Sequence, residues 1–369
     1  MAASALGLAA CGERAPEPRW PEGALLSART PALARLLERL AEVGETPLGR
    51  RARALRDSLP DCALVEARAP SGHLADALDS LGCASLVGPL APLHELRGAA
   101  DLAFALPLSG DELAGDERAL GVATLGEAGD LALEISLPAG AFRGARSLLV
   151  PGDPPGPGVL AAEDALVHAR LRPAGGLDVA SLVPEGSQGA ELFGLKSQLF
   201  AGLVLDGSYE LAIYLPADAR TMPDAALALG FSQRETAVAA MDAFLGELQS
   251  RWPVSRTPFA VGDAQGACLL ELRLLPELAP CYVATAGALV VGWNPASLRR
   301  ALAAEAPRGP ESALVIDLAR LPEADLRLAA HLPERPERAP TRWPWRRLRA
   351  DGASQGDGVR LRVQLEAGA

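Results

Sequence analysis

The chain has 369 residues, of which 49% are hydrophobic, and a formal net charge of −11 at pH 7. This length is enough for one large or two medium domains with a sizeable core. The acidic balance argues against nucleic-acid binding, because neutralisation of the phosphate backbone by Lys and Arg dominates that class of binding.

The chain starts with an apolar stretch that ends in a cysteine. Residues 2–10 carry no charge, which fits the hydrophobic region of a signal peptide, and two small alanines precede Cys11. The sequence Leu-Ala-Ala-Cys resembles the lipobox of bacterial lipoproteins, in which the cysteine is lipidated and becomes the first residue. The resemblance implies a signal peptide over residues 1–10, lipidation of Cys11 and a membrane as partner. No Lys or Arg precedes the apolar run, so we expect translation to start upstream of Met1.

A charged, proline-rich stretch follows Cys11. Such a composition stays extended, so residues 11–29 are predicted to be a tether between the membrane and the folded body. No other part of the chain approaches the ~20 apolar residues of a membrane-spanning helix. Gly12, in the place after the cysteine, resembles lipoproteins of Gram-negative bacteria that are exported to the outer membrane. The expected location is therefore the outer membrane or the periplasmic face.

The first folded segment is predicted to be a helical hairpin. Thr30 and Thr46 each precede a proline, which is the order of an N-cap and a first helical residue. Leucines recur at helical spacing through residues 33–43 and 48–59, so each helix has one apolar face. We expect these faces to pack against a common core.

Strand-like runs followed by helical patterns recur along the chain, and short strands separated by Gly, Asp and Pro turns lie between them. The predicted fold class is α+β, with antiparallel sheets or meanders, recurring strand-helix units and the N-terminal helical hairpin. The units are 62–68 with 71–81, 226–232 with 233–250, 288–293 with 295–304, and 313–317 with 323–331. The other strands are 101–108, 118–125, 130–137, 163–172, 201–206, 209–215, 343–350 and 359–366, the last two flanking a polar turn.

A stretch rich in proline and glycine interrupts every periodic pattern at residues 151–158. As a linker, it would divide the body into an N-terminal α+β domain over 30–150 and a C-terminal α+β domain over 159–369. A single long surface loop is the alternative.

Four cysteines remain after Cys11, an even number in a chain expected to reach an oxidising compartment. Cys62 opens a predicted strand, and Cys83 follows a helix that runs back along it. The strand is ~23 Å long, and the helix that runs back along it is ~17 Å long. Cys83 therefore returns to the end of the unit at which Cys62 opens the strand, and a disulfide between Cys62 and Cys83 is predicted. A disulfide between Cys268 and Cys281 is the second prediction, with free thiols as its alternative. A simple hairpin would separate this second pair by the length of a strand.

No catalytic, metal-binding or cofactor-binding residue is predicted. The four histidines are dispersed, and no Gly-x-Ser-x-Gly elbow is present. A phosphate loop needs a lysine after its glycines, and Lys196 is the only lysine. Ser71 near His73 is explained by helix capping, and the acidic glycine-rich turn over 351–358 is explained by a solvated hairpin rather than a calcium site.

One segment mixes indole and guanidinium groups, namely Arg342, Trp343, Trp345, Arg346 and Arg347. This composition suits a bilayer interface or an anionic partner. The alternative is an ordinary strand whose tryptophans pack inward.

Three functions remain open. The first is a non-enzymatic, lipid-anchored exported protein that acts as a scaffold or binding module. Its body loosely resembles uncharacterised exported bacterial α+β proteins, in which an apolar hairpin such as Tyr282 to Trp293 precedes a helix capped by Asn-Pro. The second is a carrier of an apolar ligand or lipid in a cavity lined by the sheet, and the third is an enzyme of unrecognised type. No cofactor is expected.

Metabolic labelling with a palmitate analogue tests the lipobox. We expect the analogue to label the wild-type protein and Cys11→Ser to abolish the label, because the thiol is the site of acylation. Cys83→Ser is the control, since it also removes one thiol and should leave the label in place. A wild-type protein that takes up no label would rule the anchor out.

Overall fold

The computed structural model describes residues 22–85, 90–108, 118–138, 156–172, 205–215, 223–251, 255–270, 279–303, 313–324, 342–355 and 358–368. Sixteen strands in these ranges form one sheet, and every pair of neighbours is antiparallel. The sheet order is β10-β11-β12-β13-β9-β8-β7-β14-β15-β16-β6-β5-β4-β1-β2-β3.

Helices and antiparallel strands together agree with the predicted α+β class, with strands as the larger component. The strands are β1 Ala24–Arg29, β2 Leu64–Ala69, β3 Gly82–Cys83, β4 Leu102–Pro107, β5 Arg118–Leu125, β6 Leu131–Leu137, β7 Ala165–Leu171, β8 Leu205–Tyr214, β9 Asp224–Phe231, β10 Ser255–Val261, β11 Ala264–Leu270, β12 Cys281–Ala284, β13 Ala288–Gly292, β14 Leu314–Asp317, β15 Trp345–Gln355 and β16 Gly358–Ala367. The helices are α1 Thr30–Ala41, α2 Pro47–Asp57, α3 Leu74–Asp79, α4 Ala91–Arg97, α5 Arg234–Arg251 and α6 Pro295–Ala301.

The helical hairpin is present as α1 and α2, and one of its two predicted caps is correct. Thr46 accepts a hydrogen bond from the amide of Gly49 at 3.1 Å. Thr30 was expected to cap α1, but it is already the first residue of the helix, and Arg29 occupies the cap position. The reason is that β1 runs directly into α1 and leaves no residue between them for a side-chain cap.

The predicted tether over residues 11–29 is wrong for its last six residues, which form β1. This strand pairs with β2 on one side and β4 on the other, and only its last residue, Arg29, is exposed. A strand buried on both faces is a continuous apolar run without alternation, so the period of two that marks a strand is missing. Gly23 precedes β1 with a φ of 91°, and a Cβ there would lie 2.2 Å from the carbonyl oxygen of Ala69.

Several predicted boundaries shift in the structure. The helix predicted from Ser71 is the shorter α3, since the Ser71 hydroxyl accepts from the amide of His73 in the preceding turn. Residues 205–206 and 209–214 of the strands predicted at 201–206 and 209–215 belong to a single β8, and residues 201–204 lie outside the described residues. The turn predicted at 351–358 is also shorter, because β15 continues to Gln355 and pairs Asp351 with Arg362.

Strand alternation gives the sheet two different faces. The apolar face contains Val363 and Leu365 of β16, and α1, α2, α3 and α5 cover its two ends. The charged face contains Arg362 and Gln364 of β16, and α4 and α6 cover its two ends. In the described part of the chain, these helices pack mainly on β1, β2 and β4 at one end and on β9, β10, β12 and β13 at the other.

Hydrogen bonding continues across the predicted boundary between the two halves. The last strand, β16, pairs with β6 from the first half over seven residues. Residues 151–155 of the predicted linker lie outside the described residues, and the remainder packs against the sheet. A Cβ on Gly156 would lie 2.2 Å from the carbonyl oxygen of Tyr209, so the chain passes in direct contact with β8.

The outer edge of β10 ends the sheet and carries a proline at its centre. The Leu269 amide donates to the Pro280 carbonyl. Because hydrogen-bonded and non-hydrogen-bonded pairs alternate in an antiparallel ladder, the next facing pair, Cys268 and Cys281, is not hydrogen-bonded. The backbone of Cys268 therefore bonds to Thr257 of β10 on its other side. The next residue, Pro258, therefore faces outward, where its missing N–H weakens the edge as a template for another strand.

We expect Pro258→Val to make the protein associate edge to edge, because valine restores the outward N–H and favours an extended strand. Light scattering during size-exclusion chromatography should show an increase in mass with protein concentration. Ala260→Val is the matched control, since Ala260 is exposed on the same edge and already has an N–H. A Pro258→Val protein with the same mass as the wild type at every concentration and an intact circular dichroism spectrum would contradict the role given to Pro258.

Candidate functional site

Both predicted cysteine pairs lie at disulfide distance. Cys62 and Cys83 have a Cα–Cα distance of 5.9 Å. Cys83 lies on β3 opposite Val65 of β2, and Cys62 lies two residues before β2. The predicted arrangement, in which the chain returns along the strand and brings both cysteines to one end, is therefore confirmed, although α3 is shorter than expected.

Cys268 and Cys281 lie directly opposite each other on β11 and β12, with a Cα–Cα distance of 4.0 Å. The expected separation by a strand's length is wrong, because β11 begins at Ala264 and reaches Cys268 only near its end. Both cysteines are buried in the core between the charged face and α6. The pair is confirmed, and the hairpin assumed for it is not.

The predicted surface of tryptophan and arginine side chains is divided in the structure. Trp345 is buried, and its indole N–H donates to the carbonyl of Gly129 at 3.1 Å. It therefore cannot belong to an exposed surface, because it fills the space beneath the turn between β5 and β6. Trp343 is 42% exposed. Arg342 and Arg346 are exposed beside it, and Arg347 is partly exposed.

A cluster of arginines continues from Arg346 onto the charged face of β15 and β16. We call Arg346, Arg349, Arg360 and Arg362 the arginine cluster. The Arg360 and Arg362 guanidiniums lie 3.0 and 3.7 Å from Glu134 of β6. Those of Arg349 and Arg346 lie 2.8 and 3.3 Å from Glu366. Each carboxylate is thus shared by two guanidiniums.

Ser27 on β1, Glu66 on β2 and His94 on α4 form a chain of hydrogen bonds. Ser27 Oγ lies 3.0 Å from His94 Nδ1, and His94 Nε2 lies 3.2 Å from Glu66 Oε2. The amide of Ser85 donates to Glu66 Oε1 at 3.2 Å. An imidazole protonated at Nε2 donates to the carboxylate and accepts the Ser27 hydroxyl at Nδ1, so this tautomer satisfies all three side chains.

Serine, imidazole and carboxylate in this order also form the triad of serine hydrolases, but the surroundings of Ser27 differ from a nucleophile's. Ser27 is fully buried, with 0% exposure. The strand that contains Ser27 pairs on both sides, with Glu66 and Ala103 opposite Ser27. The backbone amides next to Ser27 therefore form the hydrogen bonds of the sheet rather than an oxyanion hole. The triad template also places serine on Nε2, whereas Ser27 contacts Nδ1. The network therefore fixes α4 to β1 and β2.

A second buried pair joins β7 to β8. His168 Nε2 lies 2.9 Å from Glu210 Oε1, and the two residues are 1% and 0% exposed. The Val159 amide donates to Glu210 Oε2 at 2.6 Å. His168 Nδ1 is buried and has no hydrogen-bond partner among the residues that the structure describes. The pair holds the segment before β7 against the charged face.

Two tyrosines on β8 lie on opposite faces of the sheet. The Tyr214 hydroxyl donates to the Ala161 carbonyl at 2.6 Å, and burial raises the pKa of this phenol. The Arg300 guanidinium lies 4.9 Å from the centre of the Tyr214 ring. On the apolar face, burial raises the pKa of Tyr209 to about 12, with a further contribution from Asp206.

The apolar face is only partly covered between its two groups of helices. We define the apolar floor as fourteen partly exposed side chains on six adjacent strands, none of them charged. They form continuous rows across neighbouring strands. On the next strand, β9, the side chain of Leu227 lies opposite Leu211 of the floor and is 37% exposed. The floor consists of Leu131, Leu133, Ile135, Leu361, Val363, Leu365, Leu348, Ala350, Leu314, Ile316, Val167, Ala169, Leu211 and Ile213.

A small polar cavity of about 310 Å³ lies between α1 and the turn that follows β5. Its lining includes Arg35, Glu38, Arg39 and Glu127. Arg39 also donates to the Ala128 carbonyl at 3.0 Å. Because charged groups dominate this lining, the cavity does not have the dry surface that a carrier of an apolar ligand requires.

Metal binding finds no support in the described ranges, where no three His, Cys, Asp or Glu side chains form a possible ligand group. The described helices also include none with the length and apolarity needed to cross a membrane. Cys11, Asp357 and His331 lie outside the described residues. In comparisons with known proteins, the chain matches no family model, no curated protein and no solved structure.

We expect Ser27→Ala to lower the free energy of unfolding by about 1–3 kcal/mol, because it leaves His94 Nδ1 without a donor in a largely buried site. Urea denaturation measures this change. Ser136→Ala on β6 is the matched control, since this strand serine is exposed and its removal should change stability by less than about 0.5 kcal/mol. Equal effects of the two variants would contradict a structural role for the network.

Proposed function

We propose that this protein is a non-enzymatic, lipid-anchored exported protein that binds an apolar ligand on the apolar floor. Two non-enzymatic roles follow from the sequence, scaffold and carrier, and the floor favours the carrier. Within the described residues the binding surface is an open trough rather than a closed cavity. The single observation that carries the proposal is the unbroken apolar surface across six adjacent strands.

The size of the floor supports a binding role. Six strands spaced by about 4.8 Å span ~24 Å, which is wide enough for several acyl chains side by side. Contiguous exposed apolar surface of this extent marks interaction sites in soluble proteins, whereas isolated exposed leucines do not. Covering ~400 Å² of such surface would contribute ~10 kcal/mol before the entropy lost on association is subtracted. The floor alone can therefore provide useful affinity.

The positions of the neighbouring helices favour a ligand that lies along the floor. The hairpin of α1 and α2, together with α3, packs on the apolar face at one end of the sheet, and α5 packs on the same face at the other. The partly exposed strands lie between these two groups. A ligand in this trough would contact strands below and meet helices on either side.

The exported location rests on the lipobox and gains support from the disulfides. Two cysteine pairs at disulfide distance fit an oxidising compartment, where such bonds persist. The lipid anchor at Cys11, the periplasmic face and the outer membrane belong to the same proposal. In this arrangement the floor would take up or release apolar molecules next to a membrane.

A hydrolase is the second candidate, because Ser27, His94 and Glu66 have the donor and acceptor order of a catalytic triad. Full burial of Ser27 disfavours it. A fluorophosphonate label on the wild-type protein that disappears in Ser27→Ala would replace the non-enzymatic proposal with this one.

We expect Val363→Glu to weaken binding of a fluorescent fatty acid by at least about tenfold, because an unpaired carboxylate would be desolvated beneath the ligand. Fluorescence titration of the purified protein measures the affinity, and mass spectrometry of an organic extract should show less lipid co-purifying with the variant.

Gln364→Glu is the matched control, because Gln364 is the next residue on the same strand and is exposed on the charged face. It adds the same charge and should retain full affinity. If both variants bind like the wild type, or if the wild type binds no fatty acid and carries no lipid, the floor is not a lipid site.

A further inference from the structure

We propose that the arginine cluster on the charged face binds anionic lipid headgroups, so that the protein lies on the membrane with β15 and β16 facing it. The proposal extends the proposed function, because it adds a second contact to the anchor and leaves the apolar floor on the opposite side. It depends on the anchor only for proximity to a bilayer.

The charges within the cluster do not balance. Four guanidiniums share Glu134 and Glu366, and Asp351 lies opposite Arg362 on the same face, which leaves an excess of one positive charge. Arg347 and Asp317, which lie opposite each other on this face, add one charge of each sign and leave the excess unchanged. This local excess stands out in a chain with a net charge of −11, and it selects an anionic partner.

The exposure of the cluster differs between its inner and outer members. The Arg362 and Arg346 side chains are 66% and 56% exposed, whereas Arg349 and Arg360 are each 33% exposed. The inner pair therefore holds the carboxylates, and the outer pair can reach phosphate groups. Phosphate oxygens suit the planar fork of a guanidinium, which donates two parallel hydrogen bonds.

A membrane fits this surface better than a soluble anion for two reasons. Arg342 and the exposed indole of Trp343 immediately precede β15 in the chain. Tryptophan beside arginine is typical of the headgroup level of a bilayer. The chain between Cys11 and Glu22 can also extend ~38 Å, whereas β1 and β16 lie four strand spacings, ~19 Å, apart in the sheet. An anchored protein can therefore bring the cluster to the same membrane.

Vesicle co-sedimentation of the full chain carrying Cys11→Ser tests the proposal without the anchor. We expect binding to vesicles of phosphatidylglycerol and phosphatidylcholine in equal parts, no binding to phosphatidylcholine alone, and loss of binding as salt is raised. Arg360→Gln with Arg362→Gln should weaken binding about 30-fold, because each basic residue near an anionic surface contributes about 1 kcal/mol.

Two further variants separate charge from structure. Arg360→Lys with Arg362→Lys keeps the charge and should keep the binding, even though it loses the planar contacts to Glu134. Arg50→Gln with Arg56→Gln removes the same charge from exposed positions on α2 and should bind like the parent. Equal binding to both vesicle types, or equal losses in the Arg360/Arg362 and Arg50/Arg56 glutamine variants, would overturn the proposal.

The vesicle result is independent of the fatty-acid result. Val363→Glu should leave vesicle binding unchanged, because it alters the opposite face of β16, and the Arg360/Arg362 glutamine variant should leave fatty-acid binding unchanged. A wild-type protein that shows only one of the two activities would reject one proposal and retain its counterpart. If inorganic phosphate displaces the vesicles at an ionic strength at which chloride does not, the cluster is a site for a free anion instead of a membrane surface.

Discussion

The pairing of β6 with β16 is the constraint on which the rest of the structure depends. It is the only contact between neighbouring strands that links the first six strands of the chain to the last ten in the described sheet. Its register places Leu131, Leu133 and Ile135 opposite Leu365, Val363 and Leu361. A shift by one residue would bring arginine and glutamate side chains of β16 to the leucines of β6, so the apolar rows on either side strongly select one register.

The same alternation explains how one set of strands has two different surfaces. Near the ends of the sheet, both faces are apolar and both carry helices, so β1, β12 and β13 are buried on both sides. In the middle, β15 and β16 place leucine and valine on one face and arginine on the other. An arginine-rich face cannot be buried without a large desolvation penalty. Helices that covered both faces there would have to bury it, and in the described residues they pack instead on the outer strands.

The features that could be predicted from the sequence are those with a local signal. Thr46 and Asn294 each precede a proline, and both cap a helix as expected. The strand predicted at 359–366 is present as β16. The Ser27 network was missed because Ser27 lies in the one strand mistaken for a tether, and 67 residues separate it from His94. For Trp345 the inward-packing alternative is correct, and the sequence could not decide it because the partner of Trp345, Gly129, is 216 residues away.

The two disulfides complete this picture, since each lies close to one end of the sheet. Cys83 is on β3, the strand at one edge, and Cys268 is on β11, which is next to β10 at the other. An edge strand has hydrogen bonds on one side only, so the ladder supports it less than the central strands. Each bridge closes a short loop, and such bridges typically contribute about 3 kcal/mol, mainly by restricting the unfolded chain. The covalent links thus reinforce the ends, where the edge strands β3 and β10 each have a single neighbour in the described part of the chain. The central strands are held by ladders on both sides, and their register, which no covalent bond fixes, depends on the apolar rows that form the floor. The side chains that select the register are therefore those of the apolar floor, and the floor remains apolar because the register of the sheet requires it.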